Sequence, residues 1–67
     1  MDSIILQNRV KEARAKKKIS QEELAKLVGT TRQTIISIEK NQYTPSAKLA
    51  LLIAIVLDEK FEDLFFF

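Results

Sequence analysis

The chain lacks cysteine and histidine entirely and holds one glycine and one proline among its 67 residues. Without cysteine and histidine, disulfide bonds and the usual zinc sites are excluded. With a single glycine, the chain cannot form a glycine-rich loop that wraps a phosphate group. A domain of this size must rely on close helix packing or on oligomerisation, because folding buries only about 60% of its unfolded surface.

Several function classes are disfavoured by what is missing. No recognisable nucleophile–base pair is present, so we expect no enzymatic activity, no catalytic residues, no metal and no cofactor. No apolar run reaches the roughly 18 residues of a membrane span, and the opening MDSIILQNR lacks the basic start of a signal peptide. We therefore expect a cytoplasmic protein without membrane association and without an evident small-molecule ligand.

Charge is distributed unevenly along the chain. Residues 1–48 contain ten Lys or Arg against five Asp or Glu, a net charge of +5, whereas residues 49–67 contain one Lys against four acids, a net charge of −3. A basic half suits a domain that turns one side toward a polyanion. An ordinary solvated surface explains the same charges about equally well, so charge alone leaves both interpretations open.

Composition and capping signals predict five helices in a single domain that spans residues 1–67. Alanine, leucine, lysine, glutamate and glutamine are abundant in the middle of the chain. In SQEE, Ser20 and Glu23 have the pattern of a capping box, and Gly29 is suited to end the helix that follows. The predicted helices cover about Leu6–Lys17, Ser20–Gly29, Thr31–Lys40, Pro45–Leu57 and Lys60–Leu64.

The first two predicted helices each have an apolar face that we expect to turn inward. In the first helix this face consists of Leu6, Val10 and Ala13. In the second helix it consists of Leu24, Ala25, Leu27 and Val28. Thr31 is a suitable N-cap for the third helix, and Asn41 is suited to a left-handed stop behind it.

The third predicted helix, within TTRQTIISIEK, carries different chemistry on its two faces. At 100° per residue, with Arg32 at zero, Ile35 and Ile38 fall at about 300° and 240°, opposite the arc that runs from Arg32 to Ser37, and form a face for packing. Arg32, Gln33 and Ser37 share the other face, where they can pair with guanine, adenine and several bases. Two helices joined by a short turn with glycine, the second with a polar start, indicate a helix-turn-helix.

An isoleucine interrupts the polar face of this helix. Ile36 lies between Arg32 and Lys40 on that face, where a thymine methyl group in the major groove is a suitable partner for it. The alternative is that the third helix is wholly buried and Ile36 belongs to the core. The polar residues on both sides favour an exposed Ile36.

The segments SQEELAKLVGTTRQTIISIEKNQYTPS and FEDLF resemble the Cro/CI-type (XRE-type) helix-turn-helix regulators, and the resemblance covers about residues 6–65. It implies an all-α, five-helix domain, usually a homodimer, that binds operator DNA and represses or activates transcription. Of these two roles we expect a repressor, bound to a palindromic double-stranded DNA operator. It also implies a structural ion pair between Arg14 and Glu39. The implied DNA-binding residues are Gln21, Thr31, Arg32, Gln33, Ser37, Lys40, Asn41 and Tyr43.

The sequence departs from this family pattern at four positions. Lys18 replaces a frequent glycine, which predicts a strained or differently shaped turn after the first helix. Asn41, behind the third helix, also replaces a frequent glycine, at a smaller cost. Leu52 and Ile55 replace polar residues on a fourth helix that is apolar almost all round, so we expect a partner surface there. The expected homodimer interface consists of Leu52, Ile55, Val56, Phe65, Phe66 and Phe67.

Two alternatives for this apolar surface stay open. The protein's own C-terminus can cover it, or it can bind a different protein, as an antitoxin-like interaction module would. A pure interaction module has no need of Arg32, Gln33 and Ser37 in their predicted arrangement, which favours DNA binding.

The two chain ends, SIIL and LFFF, are short, apolar and prone to form strands. We expect a small antiparallel pairing of about residues 2–6 with residues 63–67, supported by packing on the helices because an isolated pair is only marginally stable. The alternative is that both ends are frayed tails.

Overall fold

The computed structural model of the protein describes residues 4–67, which form five helices and a two-stranded antiparallel sheet. This arrangement confirms the predicted all-α, five-helix class with a small pairing of the terminal segments. In chain order the elements are β1 (Gln7–Asn8), α1 (Val10–Lys17), α2 (Gln21–Val28), α3 (Arg32–Glu39), α4 (Ala47–Leu57), α5 (Phe61–Leu64) and β2 (Phe65–Phe66).

One hydrophobic core receives side chains from all five helices. Its centre includes Ile53 and Leu57 of α4 together with Ile35 of α3, and all three are completely buried. Burying a side chain of this size contributes about 1.5–3 kcal/mol, and within this core α3 packs mainly against α2, which in turn packs against α4. The buried side chains are Val10, Ala13, Leu24, Ala25, Val28, Ile35, Ile38, Ala50, Ile53, Ala54, Leu57, Leu64 and Phe65.

Side-chain caps begin α2, α3 and α4. The predicted capping box of α2 is confirmed, because the Glu23 N–H donates to Ser20 Oγ at 3.0 Å and the Ser20 N–H donates to Glu23 Oε1 at 2.9 Å. Thr31 caps α3 as predicted. Ser46 caps α4, so Pro45 precedes that helix and does not occupy its first turn.

Four helices end in a residue with left-handed backbone conformation. These residues are Lys18 after α1 (φ 58°), Gly29 after α2 (φ 78°), Asn41 after α3 (φ 59°) and Asp58 after α4 (φ 55°). At each end, two backbone N–H groups return to carbonyls of the last turn, for example from Gln42 to Ser37 at 2.9 Å. Lys18 therefore adopts the conformation that a glycine would adopt in this turn.

Two of the predictions about α1 and α2 are wrong. The first helix begins at Val10 and not at Leu6, because the intervening residues form β1. Leu27 was expected to face inward and is 62% exposed. The buried face of α2 includes Leu24 and Val28, which are separated by about 40° around the helix, whereas Leu27 lies about 60° from Leu24 on the side away from Val28, and about 100° from Val28.

The N-terminal strand of the terminal pairing lies later in the chain than expected. Gln7 pairs with Phe66 and Asn8 pairs with Phe65, whereas residues 2–6 were expected to supply the N-terminal strand. The first residues of that expected strand lie outside the described chain. The register follows from the buried ring of Phe65, which is 4% exposed and anchors β2 in the core.

Candidate nucleic-acid interface

Helices α2 and α3 are joined by a turn of three residues, 29–31, and form the predicted helix-turn-helix. Thr31 Oγ1 accepts the Thr34 backbone N–H at 3.2 Å and lies 2.9 Å from Thr34 Oγ1. This cap satisfies one of the free N–H groups at the start of α3. Ile35 and Ile38, both at most 1% exposed, hold one face of α3 in the core.

The opposite face of α3 presents polar side chains to solvent. Arg32 and Gln33 are exposed, and Ser37 is partly buried. Gln33 Nε2 lies 3.5 Å from Ser37 Oγ, which places these two side chains together one turn apart. Arg and Gln can each form two hydrogen bonds with one base edge in the major groove, so this face has the chemistry needed to read bases.

Ile36 is partly buried, which is intermediate between the exposed position and the core position considered for it from the sequence. It belongs neither to the buried core nor to the partly buried side chains that pack against it. The third helix is not wholly buried, because Arg32 and Gln33 on the same side are exposed. This placement keeps Ile36 available for an apolar contact at the polar face.

Gln21 is held at the start of α2 by a buried carboxylate. Its Nε2 donates to Glu39 Oε1 at 3.1 Å, and Arg14 donates to both carboxylate oxygens, at 2.9 Å and 3.3 Å. The Glu39 side chain is only 5% exposed, so these three donors compensate its loss of water. Gln21 thus belongs to the network that joins α1, α2 and α3.

An open cleft of about 480 Å³ lies between the start of α2 and the start of α3. Its lining includes Gln21 and Arg32, and the first N–H groups of α2 are free of helical partners there. A helix N-terminus next to an arginine is a favourable environment for a phosphate group. The cleft is lined by Arg14, Ser20, Gln21, Glu22 and Arg32.

Asn41 has a structural role that sequence reasoning missed. Its Oδ1 accepts Asn8 Nδ2 at 2.8 Å, and its Nδ2 donates to Gln7 Oε1 at 3.2 Å. The side chain therefore faces β1. Lys40 is exposed and Tyr43 is half exposed. Lys40, Asn41 and Tyr43 were all predicted to lie along the DNA backbone, and only the Asn41 side chain is hydrogen-bonded to β1.

Asn8 is the residue of this network that sequence reasoning did not identify. An asparagine two residues before the first helical residue is a recognisable signal of an Asx-turn, because its side-chain oxygen can accept the backbone N–H two residues further on. The signal was hidden because the first helix was expected to begin at Leu6, which would place Asn8 inside it.

Salt bridges involve the basic residues of α1 and leave the α3 surface free. Lys16 lies 3.4 Å from Glu59, and Lys17 lies 3.7 Å from Asp58. Within residues 4–67, Arg32 and Lys40 form no salt bridge. The positive charges nearest the candidate interface are therefore not neutralised by neighbouring carboxylates in the described part of the chain.

The residues expected at a dimer interface are placed in three different environments. Ile55 is 73% exposed and Phe67 is 81% exposed. Leu52, Val56 and Phe66 are partly buried. The expectation is wrong for Phe65, because its ring is buried in the protein's own core. Another exposed apolar residue, Leu51, was not predicted to lie at the interface; it is 50% exposed, one turn from Ile55.

Among residues 4–67, no group of three or more acidic side chains is arranged to hold a metal ion. No helix of the described chain is both long enough and apolar enough to cross a membrane.

Comparison with known proteins agrees with the helix-turn-helix geometry. The model of the family described as "Helix-turn-helix" matches residues 10–64, from the start of α1 to the end of α5. The chain belongs to this helix-turn-helix family, which confirms the resemblance to the XRE-type regulators. It is therefore a transcriptional regulator with a helix-turn-helix DNA-binding fold, and this family membership also confirms that it is not an enzyme.

Relatives in both archaea and bacteria support this assignment. The chain is 53% identical over 62 residues to an uncharacterized HTH-type transcriptional regulator of Archaeoglobus fulgidus, covering 92% of this chain and 87% of that one. It is 50% identical over 60 residues to the uncharacterized HTH-type transcriptional regulator YgzD of Bacillus subtilis, covering 90% and 91%. A solved structure, the restriction-modification controller protein C.AhdI from Aeromonas hydrophila, aligns with a TM-score of 0.75 at 33% identity, covering 81% and 78%.

Proposed function

We propose that the protein is a homodimeric, sequence-specific regulator that binds a palindromic double-stranded DNA operator and represses transcription. Helix α3 enters the major groove, and Arg32, Gln33 and Ser37 contact base edges while Ile36 contacts a thymine methyl group. Lys40, Asn41 and Tyr43 lie beside the DNA backbone, with Gln21 and Thr31 at the helix starts that face phosphate. Repression follows if the bound dimer prevents the polymerase from using the promoter, and this takes place in the cytoplasm.

One observation carries the proposal. Arg32 and Gln33 are exposed at the N-terminal turn of α3, while Ile35 and Ile38 on the opposite side of the same helix are buried. In a helix-turn-helix, this turn is the part of the second helix that reaches base edges. A helix anchored by one face and polar on the other is what insertion into the groove requires.

The exposed apolar face of α4 supports the homodimer. Leu51 and Ile55 lie one turn apart on α4 and are 50% and 73% exposed. Monomeric proteins rarely leave such an apolar patch uncovered. A two-fold dimer can also place two copies of α3 about 34 Å apart, the distance between successive major grooves on one side of the duplex.

Selection of binding sites from random double-stranded DNA tests the proposal. We expect an enriched palindrome, and Arg32→Ala and Gln33→Ala should each lose about 1–3 kcal/mol of discrimination at one base pair of each half-site. Lys40→Ala is the matched control, because loss of a phosphate contact should weaken binding to all sequences and reduce the salt dependence by about one unit. Unchanged discrimination in folded Arg32→Ala and Gln33→Ala would show that α3 does not read the bases.

A protein-interaction module remains the second candidate, and the exposed Phe67 favours it. This side chain is 81% exposed, so the C-terminal end can contact a different protein. The selection experiment separates the two functions. An interaction module would enrich no DNA sequence and would bind heparin or DNA only through nonspecific charge.

A further inference from the structure

We propose that Asn8 is a positioning residue that sets the orientation of α3 for reading DNA. The proposal rests on the proposed function, in which α3 is the recognition helix. It concerns a residue outside the helix-turn-helix, on the strand that precedes α1.

The backbone of Asn8 is held in place by the sheet. Asn8 pairs with Phe65 across the two strands, and the next N–H, that of Arg9, donates to the Leu64 carbonyl at 2.9 Å. Leu64 and Phe65 are both at most 4% exposed. A residue whose backbone is tied to the core in this way can hold a partner through its side chain without moving itself.

The side-chain amide of Asn8 connects two helix ends. Its Oδ1 accepts the Val10 N–H at the start of α1 at 3.1 Å. Its Nδ2 donates to the Ile38 carbonyl in the last turn of α3 at 2.8 Å and to Asn41 Oδ1, just beyond that helix, also at 2.8 Å. Both N–H donors of the Asn8 amide are therefore used, and its oxygen accepts one hydrogen bond.

The position of these bonds links Asn8 to the proposed reading face. Helix α3 has eight residues and is therefore only about 12 Å long. Its start is capped by Thr31, its last residue is bound by Arg14, and its final turn is bound by Asn8. If the hydrogen bond from Asn8 is lost, the C-terminal turn of α3 can shift. A shift of that turn changes the angle at which Arg32 and Ser37 meet the bases.

The variant Asn8→Asp separates the two roles of the amide. An aspartate keeps an oxygen that can accept the Val10 N–H. It replaces the donor with a second oxygen facing the Ile38 carbonyl and Asn41 Oδ1, and it places negative charge at the C-terminal end of a helix, where the dipole disfavours it. The variant thus preserves the start of α1 and disturbs the end of α3.

The matched control is Ile53→Val, which loses one buried methylene from α4 and disturbs no hydrogen bond of α3. Affinities for the selected operator and for unrelated DNA of equal length are measured for both variants and for the unmodified protein, all shown to be folded. We expect the ratio of operator to unrelated affinity to fall about tenfold for Asn8→Asp and to stay unchanged for Ile53→Val. An unchanged ratio for Asn8→Asp overturns the proposal.

A measurement without DNA distinguishes this proposal from the proposed function. Amide hydrogen exchange of Asn41 and Gln42, whose N–H groups bond to the last turn of α3, should be faster in Asn8→Asp than in Ile53→Val. Equal exchange in the two variants overturns the role of Asn8 even if operator binding is found. If the unmodified protein prefers no operator, the proposed function fails, and the reading role of Asn8 fails with it.

Discussion

Arg14 of α1 and Glu39 of α3 form a two-pronged ion pair. Arg14 Nε lies 2.9 Å from Glu39 Oε2, and a terminal guanidinium nitrogen lies 3.3 Å from Oε1. The Arg14 side chain is 16% exposed and that of Glu39 is 5% exposed. Arg14 also donates to the Ile19 carbonyl at 3.0 Å, so it joins α1 both to the turn before α2 and to α3.

Breaking this pair from one side should destabilise the fold strongly. We expect Arg14→Met to lower the free energy of unfolding by about 3 kcal/mol, because it leaves the Glu39 carboxylate buried without its main donor. The double variant Arg14→Met/Glu39→Met should be more stable than Arg14→Met, since no charge is left unpaired. Urea denaturation of the two variants and of Glu39→Met completes the cycle. A double variant no more stable than Arg14→Met would contradict this account.

The left-handed residues at the helix ends predict opposite effects of two substitutions. Lys18→Gly should stabilise the protein by about 0.5–1 kcal/mol, because Lys18 has a φ of 58° that costs a side-chain-bearing residue energy. Gly29→Ala should destabilise it by about 1 kcal/mol through the backbone alone, since an added Cβ would meet no atom within 4 Å. Urea midpoints that move in the same direction for both variants would contradict the prediction.

The boundaries of α2 were predictable because the signals for them are local. Ser20 and Glu23 are three residues apart and cap the helix they begin, and Gly29 can take a left-handed conformation in any surroundings. The start of α1 was not predictable in this way. Gln7–Asn8 form a strand only because Phe65–Phe66 lie beside them, and this pairing joins residues more than 50 positions apart.

The candidate site shows the same division between local and distant information. The polar face formed by Arg32 and Gln33 follows from helical geometry and is present in the structure. The hydrogen bonds from Asn8 to the end of α3 depend on how the terminal strands pack, which the sequence pattern does not contain. The three terminal phenylalanines are chemically identical, so only the sheet register and the core decide that Phe65 is buried and Phe67 is exposed.

The capping box of α2 predicts a dependence of stability on pH. The Ser20 backbone N–H, which Glu23 accepts, and then the Ser20 hydroxyl hold the pKa of Glu23 below its ordinary value of 4.5. The unfolded chain therefore binds the proton more readily, so the contribution of this carboxylate is complete above pH 4.5 and is lost as the pH falls through the folded-state pKa.

The test compares urea denaturation of Glu23→Gln with that of the unmodified protein at about pH 7 and about pH 3. We expect Glu23→Gln to lose less stability between these conditions than the unmodified protein does. Glu22→Gln is the control, because Glu22 lies in the same turn but forms no capping hydrogen bond in the described structure. The prediction fails if Glu23→Gln and Glu22→Gln show the same pH dependence.

The exposed face of α4 predicts that surface charges there will separate the proposed dimer. Leu52 is unsuitable for this test, because it is partly buried against the core and its replacement would damage the fold. Leu51→Glu combined with Ile55→Lys changes only exposed positions, and a Glu four residues before a Lys stabilises a helix by about 0.2–0.5 kcal/mol. We therefore expect a folded monomer that no longer binds the operator, although no proposed DNA contact is altered.

Sedimentation velocity at micromolar concentration, without DNA, measures this change directly. Leu27→Lys is the matched control, since Leu27 is 62% exposed on α2 and lies outside the proposed interface; this variant should remain dimeric and bind the operator normally. In the proposed dimer, Leu51 and Ile55 of both subunits are removed from water, which favours association. Because both residues are exposed in the monomer, charges at these positions should weaken dimerisation more than they lower the stability of the fold. A monomeric unmodified protein, or a dimeric Leu51→Glu/Ile55→Lys variant, would show that this face of α4 does not hold two copies together.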